Sequence, residues 1–189
     1  MINIIGGKFK KTKLEVPLKK VRPTSIIKRK AIFSILESYG IQNSIDIYYK
    51  KSVIDLFAGS GAMGIEALSR GAASATFIEN SRLALKAIRE NVNALNLSSQ
   101  ATIIAGDVLI ALKKLQGHSF DLIYVDPPYG KGLHEKGLHL IDQLHLLAKG
   151  GTLFIEELSI DKLPLLHLQL KEERKAGNTF LYQFISKDI

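Results

Sequence analysis

The residues best suited to chemistry stand at the ends of predicted strands. The tetrapeptide Asp126-Pro127-Pro128-Tyr129 follows one apolar run directly. Two prolines fix the backbone and remove two N–H donors, so the Asp126 carboxylate and the Pro127 carbonyl offer two acceptors on one side of a pocket, with the Tyr129 ring beside them. Two acceptors and a flat ring suit the two hydrogens and the plane of an amino group on a base. The alternative is a proline-rich turn without function.

A glycine-rich turn after an earlier strand predicts a cofactor that contains adenosine. Gly59, Gly61 and Gly64 have the G-x-G-x-x-G spacing, and Glu79 ends the next predicted strand. Glycines let the backbone approach the ligand and an acid binds the ribose, which suits a nicotinamide dinucleotide or S-adenosylmethionine. Asp55 favours the second, because a carboxylate repels phosphates and attracts sulfonium and ammonium groups. A turn needed only for packing is the alternative.

The remaining sequence patterns say less about the chemistry of the protein. Asp107 and Val108 follow a third strand and could hold an adenine amino group and cover its ring, or Asp107 could cap the next helix; the sequence leaves both open. There is no H-E-x-x-H, G-x-S-x-G or P-loop motif. The sequence has no cysteine and predicts no metal site, and His134 and His139 are expected on the surface.

The order of the elements that must position these residues predicts an α/β fold. Short strands are expected at residues 53–57, 74–79, 101–105, 120–125, 152–156, 165–171 and 179–186. Helices are expected between them at 65–70, 81–95, 108–115 and 133–147. Such alternation predicts a parallel sheet covered by helices on both faces, with ligands beyond the carboxyl ends of the strands. A hairpin (2–7 and 8–16), a helix that starts at Thr24 or Ser25 and a connector at 41–51 precede it.

Composition narrows the class of protein. A chain of 189 residues suits one domain of roughly 150 residues with a small appendage. Its 46% hydrophobic and 23% charged residues are typical of a globular protein. No uncharged run reaches the roughly 20 residues of a membrane span, and the N-terminus does not have the pattern of a signal peptide. The sequence therefore predicts a cytoplasmic protein that does not contact a membrane.

The net charge of +8 is concentrated at one end of the chain. Residues 1–51 hold 12 basic and 3 acidic residues, a net +9, whereas residues 52–189 hold 14 and 15, a net −1. This division predicts a basic, RNA-binding N-terminal extension (1–51) and a catalytic domain (52–189). Phosphate contacts are expected from Lys8, Lys10, Lys11 and Lys13. A solvated lysine-rich face is the alternative.

The motifs together resemble a known family. Asp55-Leu-Phe-Ala-Gly-Ser-Gly61 with Asp126-Pro-Pro-Tyr129 is similar to the amino methyltransferases of the class I, S-adenosylmethionine-dependent fold. Ile4-Ile-Gly-Gly-Lys8, Arg22-Pro-Thr24, residues 64–72 and Lys175-Ala-Gly-Asn narrow the resemblance to the RsmD family. The resemblance implies methylation of N2 of one guanine, guanine 966, in 16S ribosomal RNA.

The resemblance implies a fold and a role for each motif. The fold is Rossmann-like, with a seven-stranded, mostly parallel sheet whose last strand is antiparallel, plus a small N-terminal hairpin and helix. Residues 126–129 would meet the target guanine. The cofactor would contact Asp55, Phe57, Gly59, Ser60, Gly61, Glu79, Asn80, Asp107 and Val108. The RNA would also contact Arg22, Thr24 and Arg29.

The expected activity is transfer of a methyl group from S-adenosylmethionine, leaving S-adenosylhomocysteine, to a guanine N2 of 16S ribosomal RNA in a small-subunit particle. The chain departs from the family at 26–30, where Ile-Ile-Lys-Arg-Lys replaces Asp-Arg-Val-Arg-Glu, and at Phe9, which replaces tryptophan. A monomer that needs no metal is expected. The alternatives are an N6-adenine methyltransferase on DNA or RNA, a catalytically silent RNA-binding assembly factor, and a dehydrogenase.

Overall fold

The computed structural model describes residues 2–17, 26–128, 132–160 and 164–187. The chain begins with the short antiparallel strands β1 (Ile2–Asn3) and β2 (Lys13–Leu14), followed by helix α1 (Ile26–Asn43). Strands and helices then alternate: β3 (Ser52–Leu56), α2 (Ala62–Ser69), β4 (Ser74–Glu79), α3 (Arg82–Ala94), β5 (Ala101–Ala105), α4 (Val108–Lys114), β6 (Phe120–Val125), α5 (Leu133–Gln143), β7 (Leu147–Glu157), β8 (Leu168–Ala176) and β9 (Thr179–Ser186).

Strands β3 to β9 form one sheet in the order β5-β4-β3-β6-β7-β9-β8. The pairs from β5 to β7 are parallel, whereas β9 runs antiparallel to both β7 and β8. The predicted mostly parallel sheet with a reversed last strand is therefore confirmed. After β5 the chain returns to β6 beside β3, so the strand order reverses between β3 and β6. Ligands of α/β sheets bind at such a switch point.

The predicted boundaries hold best for the strands at the centre of the chain. β4, β5 and β6 begin and end as predicted. The hairpin strands are only two residues each, because residues 6–11 form turns and bends. Helix α5 ends at Gln143 instead of 147, and His145 just beyond it has φ 53°, in the left-handed region that ends a helix. β7 is longer than predicted, β8 begins and ends later than predicted, and α1 continues to Asn43.

The helices cover the two faces of the sheet through separate cores. On one face, α1, α2 and α3 pack with the hairpin and with alternate strand residues such as Val53, Leu122 and Phe154. On the other face, α4 and α5 pack against the intervening residues, among them Ile54 and Ile123. The alternation follows from the two-residue period of a strand. The face that carries the hairpin is called the arm face below.

A buried carboxylate fastens the hairpin and α1 to α2. Glu66 is completely buried, and its Oε2 accepts a hydrogen bond from the Ile5 N–H at 2.8 Å. The same oxygen lies 3.5 Å from Nη1 of Arg29, while Oε1 accepts from Nε of Arg70 at 2.9 Å. Arg29 also donates to the Asn3 carbonyl at 3.0 Å. Burial lowers the pKa of the Arg29 guanidinium, and Glu66 opposes this shift.

The prediction that Arg29 contacts nucleic acid is wrong. Its side chain is 0% exposed and its guanidinium is bound to Glu66 and to a backbone carbonyl, so it cannot reach a phosphate. Two further cations of residues 1–51 are also neutralised within the chain, Lys28 by Glu156 and Lys51 by Asp121. The positive surface of this segment is therefore smaller than its formal charge.

Arg29→Ala should lower the free energy of unfolding by about 3 kcal/mol, because it leaves the buried Glu66 with only part of its compensation. Urea unfolding measures this. The matched control is Lys86→Ala, which breaks an exposed ion pair to Glu90 and should cost less than about 0.5 kcal/mol. If Arg29→Ala were as harmless as the control, the guanidinium would not be a buried partner of Glu66.

Candidate functional site

Four carboxylates stand at the carboxyl edge of four adjacent strands, β4, β3, β6 and β7. They belong to Glu79, Asp55, Asp126 and Glu156, in the order of the strands across the sheet. Asp55 pairs with Phe77 of β4 and with Tyr124 of β6, and these two residues lie two positions before Glu79 and Asp126. The register of β6 with β7 brings Asp126 next to Glu156. We call these four residues the carboxylate row.

The row lies on the arm face of the sheet. Phe77, Tyr124 and Phe154 each precede a member of the row by two residues and pack in the core of that face. Because side chains alternate along a strand, Glu79, Asp126 and Glu156 are directed to the same side. The row therefore lies on the same side of the sheet as the hairpin and α1. It spans the switch point between β3 and β6.

The electrostatics of the row centre on Asp55. This side chain is almost completely buried, and burial raises the pKa of its carboxyl well above the usual value. A hydrogen bond from the Gly64 N–H at 3.2 Å opposes the shift, whereas the charges of Asp126 and Glu79 raise the pKa further. Like charges this close favour a cationic ligand, which would relieve their repulsion.

Glu79 organises the glycine turn that follows β3. One carboxylate oxygen accepts from the Gly59 N–H at 2.8 Å, and the other from the N–H groups of Asn80 and Ser81 at 2.8 and 2.7 Å. A carboxylate has about four acceptor positions, so these bonds orient it and leave capacity for hydroxyl groups. The prediction that Glu79 ends a strand beside the glycine turn is thus realised.

The glycine turn has the backbone that its residues predict. Gly59 and Gly61 have φ of 57° and 78°, and Phe57 has φ 64°, an unusual value for a residue with a bulky side chain. Strain of this kind is concentrated at ligand sites. A Cβ on Gly64 would lie 2.4 Å from the Phe77 ring, so this glycine is needed for α2 to approach β4 closely.

Asn91 of α3 joins the turn to the N-terminal segment, and the sequence reasoning missed it. Its amide donates to the carbonyls of Ser60 and Glu15, both at 3.0 Å, and accepts from the Glu15 N–H at 2.8 Å. The signal was a polar residue on the apolar stripe of α3, three residues after Ile88. Together with Glu66, Asn91 holds residues 2–17 in a fixed position beside the glycine turn.

Asp107 and Val108 follow β5, and the structure decides one of the two roles considered for Asp107. The Asp107 side chain accepts from the N–H groups of Leu109 and Ile110 at 2.9 and 3.1 Å, so it caps α4. It is exposed and Val108 is buried. Both follow β5, next to the strand that carries Glu79, and their contact with an adenine stays a prediction.

The predicted amine site is described in part. Asp126 is half-buried, Pro127 is buried and Pro128 is exposed beyond the end of β6. Tyr129 lies outside the described residues, as do Arg22 and Thr24. The hairpin lysines Lys8, Lys10, Lys11 and Lys13 are all exposed, but nothing in the structure tests their contact with RNA.

One histidine prediction is wrong. His134 is buried rather than at the surface, because it lies in α5 with its Nδ1 3.0 Å from a carboxylate oxygen of Glu157. His139 is exposed, as predicted. Within the described ranges, no three side chains of His, Asp or Glu are grouped as a metal site.

The arrangement fits an adenosine cofactor with positive charge better than one with a pyrophosphate. Asp55 lies under the glycine turn with its carboxyl held by Gly64, Glu79 binds the Gly59 N–H of the same turn, and small residues line the turn between them. Burial, together with the charges of Asp126 and Glu79, raises the pKa of Asp55, and a pyrophosphate would add further negative charge beside it. On the far side of Asp55 lies Asp126, where a nucleophile would approach.

The order of the strands and the helices on both faces are those of the class I methyltransferase fold. An RNA methyltransferase from Salinibacter ruber, solved in complex with S-adenosyl-L-homocysteine, shares the fold with a TM-score of 0.67 at 14% identity, over 89% of this chain and 96% of that one. The solved yhhF protein of Escherichia coli superimposes with a TM-score of 0.84 at 31% identity, over 98% of both chains.

The family is defined by sequence. The family model described as "Conserved hypothetical protein 95" matches residues 2–185. The Ribosomal RNA small subunit methyltransferase D of Escherichia coli (strain K12) is 32% identical over 187 residues, which cover 96% of this chain and 89% of that protein. The chain therefore belongs to this family, the RsmD family that its motifs resemble. In the described part of the chain, no helix has the length and apolar character of a membrane span.

Proposed function

We propose that this protein transfers a methyl group from S-adenosylmethionine to N2 of a guanine in small-subunit ribosomal RNA. The observation that carries the proposal is the position of Asp126, which follows the strand next to Asp55 and acts on its charge. An acceptor for an amine thus stands beside a site for a cationic cofactor. The names of the relatives, small-subunit ribosomal RNA methyltransferases, support RNA as the substrate.

One set of residues would bind the cofactor and another the target base. Asp55 would face the positively charged methionine part, Glu79 the ribose, and Asp107 with Val108 the adenine. When bound, the cofactor supplies an electrophilic methyl group on a sulfonium. Asp126 and the Pro127 carbonyl would accept hydrogen bonds from the two N2 hydrogens of a guanine turned out of its stack.

Holding both hydrogens directs the N2 lone pair toward the methyl group, so positioning supplies much of the acceleration. Asp55 and Glu79 would hold the cofactor so that its methyl group could pass to N2, with S-adenosylhomocysteine as the leaving product. The product nitrogen then loses one hydrogen as a proton, for which the Asp126 carboxylate is the adjacent acceptor.

Residues 1–51 are proposed to be the RNA-binding extension and residues 52–189 the catalytic domain. The exposed lysines of the hairpin would meet phosphates, with Arg22 and Thr24 near the entrance to the site. Tyr129 would stack on the base. The substrate would be a small-subunit particle in the cytoplasm, and the enzyme would act as a monomer without metal.

Incubation with labelled S-adenosylmethionine and with ribosomal subunits that lack the modification tests the proposal. Digestion to nucleosides should give N2-methylguanosine, and mapping of the labelled RNA should place the label at one position. Asp126→Ala should reduce transfer at least about 100-fold, because the nucleophile loses its orientation, while calorimetry shows that S-adenosylhomocysteine still binds.

Asp121→Ala is the matched control, since it removes a carboxylate from the opposite end of β6 and should leave transfer intact. Label in adenine, or in DNA alone, would contradict the guanine assignment. Loss of cofactor affinity in Asp126→Ala would move this residue out of the substrate site.

Replacing Lys8, Lys10, Lys11 and Lys13 with Gln should weaken RNA binding and reduce the slope of log K against log salt by up to about 3, because each lost phosphate contact removes roughly 0.7–0.9. Filter binding at several salt concentrations measures this. The control replaces four exposed lysines of the helices: Lys86, Lys113, Lys114 and Lys136. Equal slopes for both variants would make the hairpin lysines an ordinary solvated face.

A further inference from the structure

Glu156 is the member of the carboxylate row that the cofactor and the amine leave without a role. It is 2% exposed and lies in β7, next to β6, the strand that Asp126 follows. A cofactor at Asp55 and Glu79 occupies the β3 and β4 side of Asp126. A base that presents an amine to Asp126 therefore extends toward the opposite side, where Glu156 stands.

A cation accompanies this carboxylate. Lys28 of α1 forms an ion pair with Oε1 of Glu156, and the Thr179 hydroxyl donates to the same oxygen at 3.4 Å. The Lys28 side chain is largely buried. Removing an ion pair from water is costly, and here the pair lies beside the proposed site of chemistry. An ammonium has three donors and a carboxylate about four acceptor positions, so each group can bind more than one partner.

Asp126, Glu156 of the neighbouring strand and Lys28, which pairs with Glu156, supply an acceptor, an acceptor and a donor, and these types complement the Watson–Crick edge of guanine. That edge presents the N2 amine, then the N1–H donor, then the O6 acceptor. We propose that Asp126 receives N2, that Glu156 accepts from N1–H and that Lys28 donates to O6, so that Glu156 and Lys28 determine specificity for guanine. This inference rests on the proposed function and names the part of the site that selects the base.

The same pair would reject the rival base. To be methylated at N6, adenine would have to present its C6 amine to Asp126, so its N1 lone pair would face Glu156 and its C2–H would face Lys28. Buried polar groups that meet the wrong partner lose their hydrogen bonds and remain desolvated, which makes such sites selective. The pair therefore offers a physical reason to prefer the guanine product over N6-methyladenine.

The test uses subunits reconstituted with RNA in which the mapped target guanine is replaced by 2-aminopurine. This base keeps the amine but lacks O6 and the N1 hydrogen. The wild type should prefer guanine in kcat/KM at least about tenfold, since two hydrogen bonds to charged groups are lost. Glu156→Gln should lower this ratio at least about threefold, because its amide can accept from guanine N1–H or donate to the unprotonated N1, while the preference that comes from Lys28 and O6 remains.

Lys28→Met should reduce the guanine rate and leave the 2-aminopurine rate unchanged, because only guanine has O6. The matched controls are Glu157→Gln, a buried carboxylate beside His134, and Lys30→Met, an exposed lysine of the same helix. Both should keep the wild-type ratio. A merely structural role would slow both substrates equally, and an unchanged ratio in Glu156→Gln and Lys28→Met overturns the inference.

The wild type alone separates this inference from the function on which it rests. If it methylates guanine N2 but accepts 2-aminopurine equally well, the proposed function stands and base selection by Glu156 and Lys28 is wrong. If it methylates no guanine, the proposed function fails and the inference fails with it.

Discussion

Burial of the Asp55 carboxylate among other carboxylates at the edge of one sheet is the constraint on which the site depends. Asp55 is buried beside the charges of Asp126 and Glu79, and its pKa is raised well above the usual value. Such an arrangement is unfavourable for an isolated protein and favourable once a cation binds between the strands. The glycine turn, the capped helices and the close approach of α2 to β4 all serve to hold these carboxylates at the switch point.

The basic N-terminal segment is part of this structure rather than a loose appendage. Glu66 binds Ile5 and Arg29, and Asn91 binds Glu15 together with the Ser60 carbonyl of the glycine turn. The surface proposed to hold RNA is thereby fixed to the turn proposed to hold the cofactor. Among the basic residues of this segment, Lys28, Arg29 and Lys51 are bound inside the chain, whereas the four lysines of the hairpin are exposed.

Local patterns predicted the sheet and the strand ends well. The runs that became β4, β5 and β6 are short and apolar, and the glycine spacing with Glu79 located the turn that these residues form. Partnerships between distant positions could not be predicted. In the sequence, Arg29 and His134 both resemble surface residues. Only the fold brings Glu66 beside Arg29 and Glu157 beside His134. Glu156 belongs to no motif. The role proposed for it depends on Asp126, which follows the neighbouring strand and lies 30 positions earlier in the chain.

The central claim is that the carboxylate row binds a cationic cofactor, and proton exchange on binding tests it most directly. Calorimetry with S-adenosylhomocysteine, whose ammonium is positive, should be repeated in buffers of different ionisation enthalpy across mildly acidic to neutral pH. A bound cation lowers the raised pKa of Asp55. We therefore expect binding to release protons, and the affinity to rise with pH until free Asp55 is ionised. Asp55→Asn should lose both effects. Binding without proton exchange in the wild type, or with the same exchange in Asp55→Asn, would contradict it.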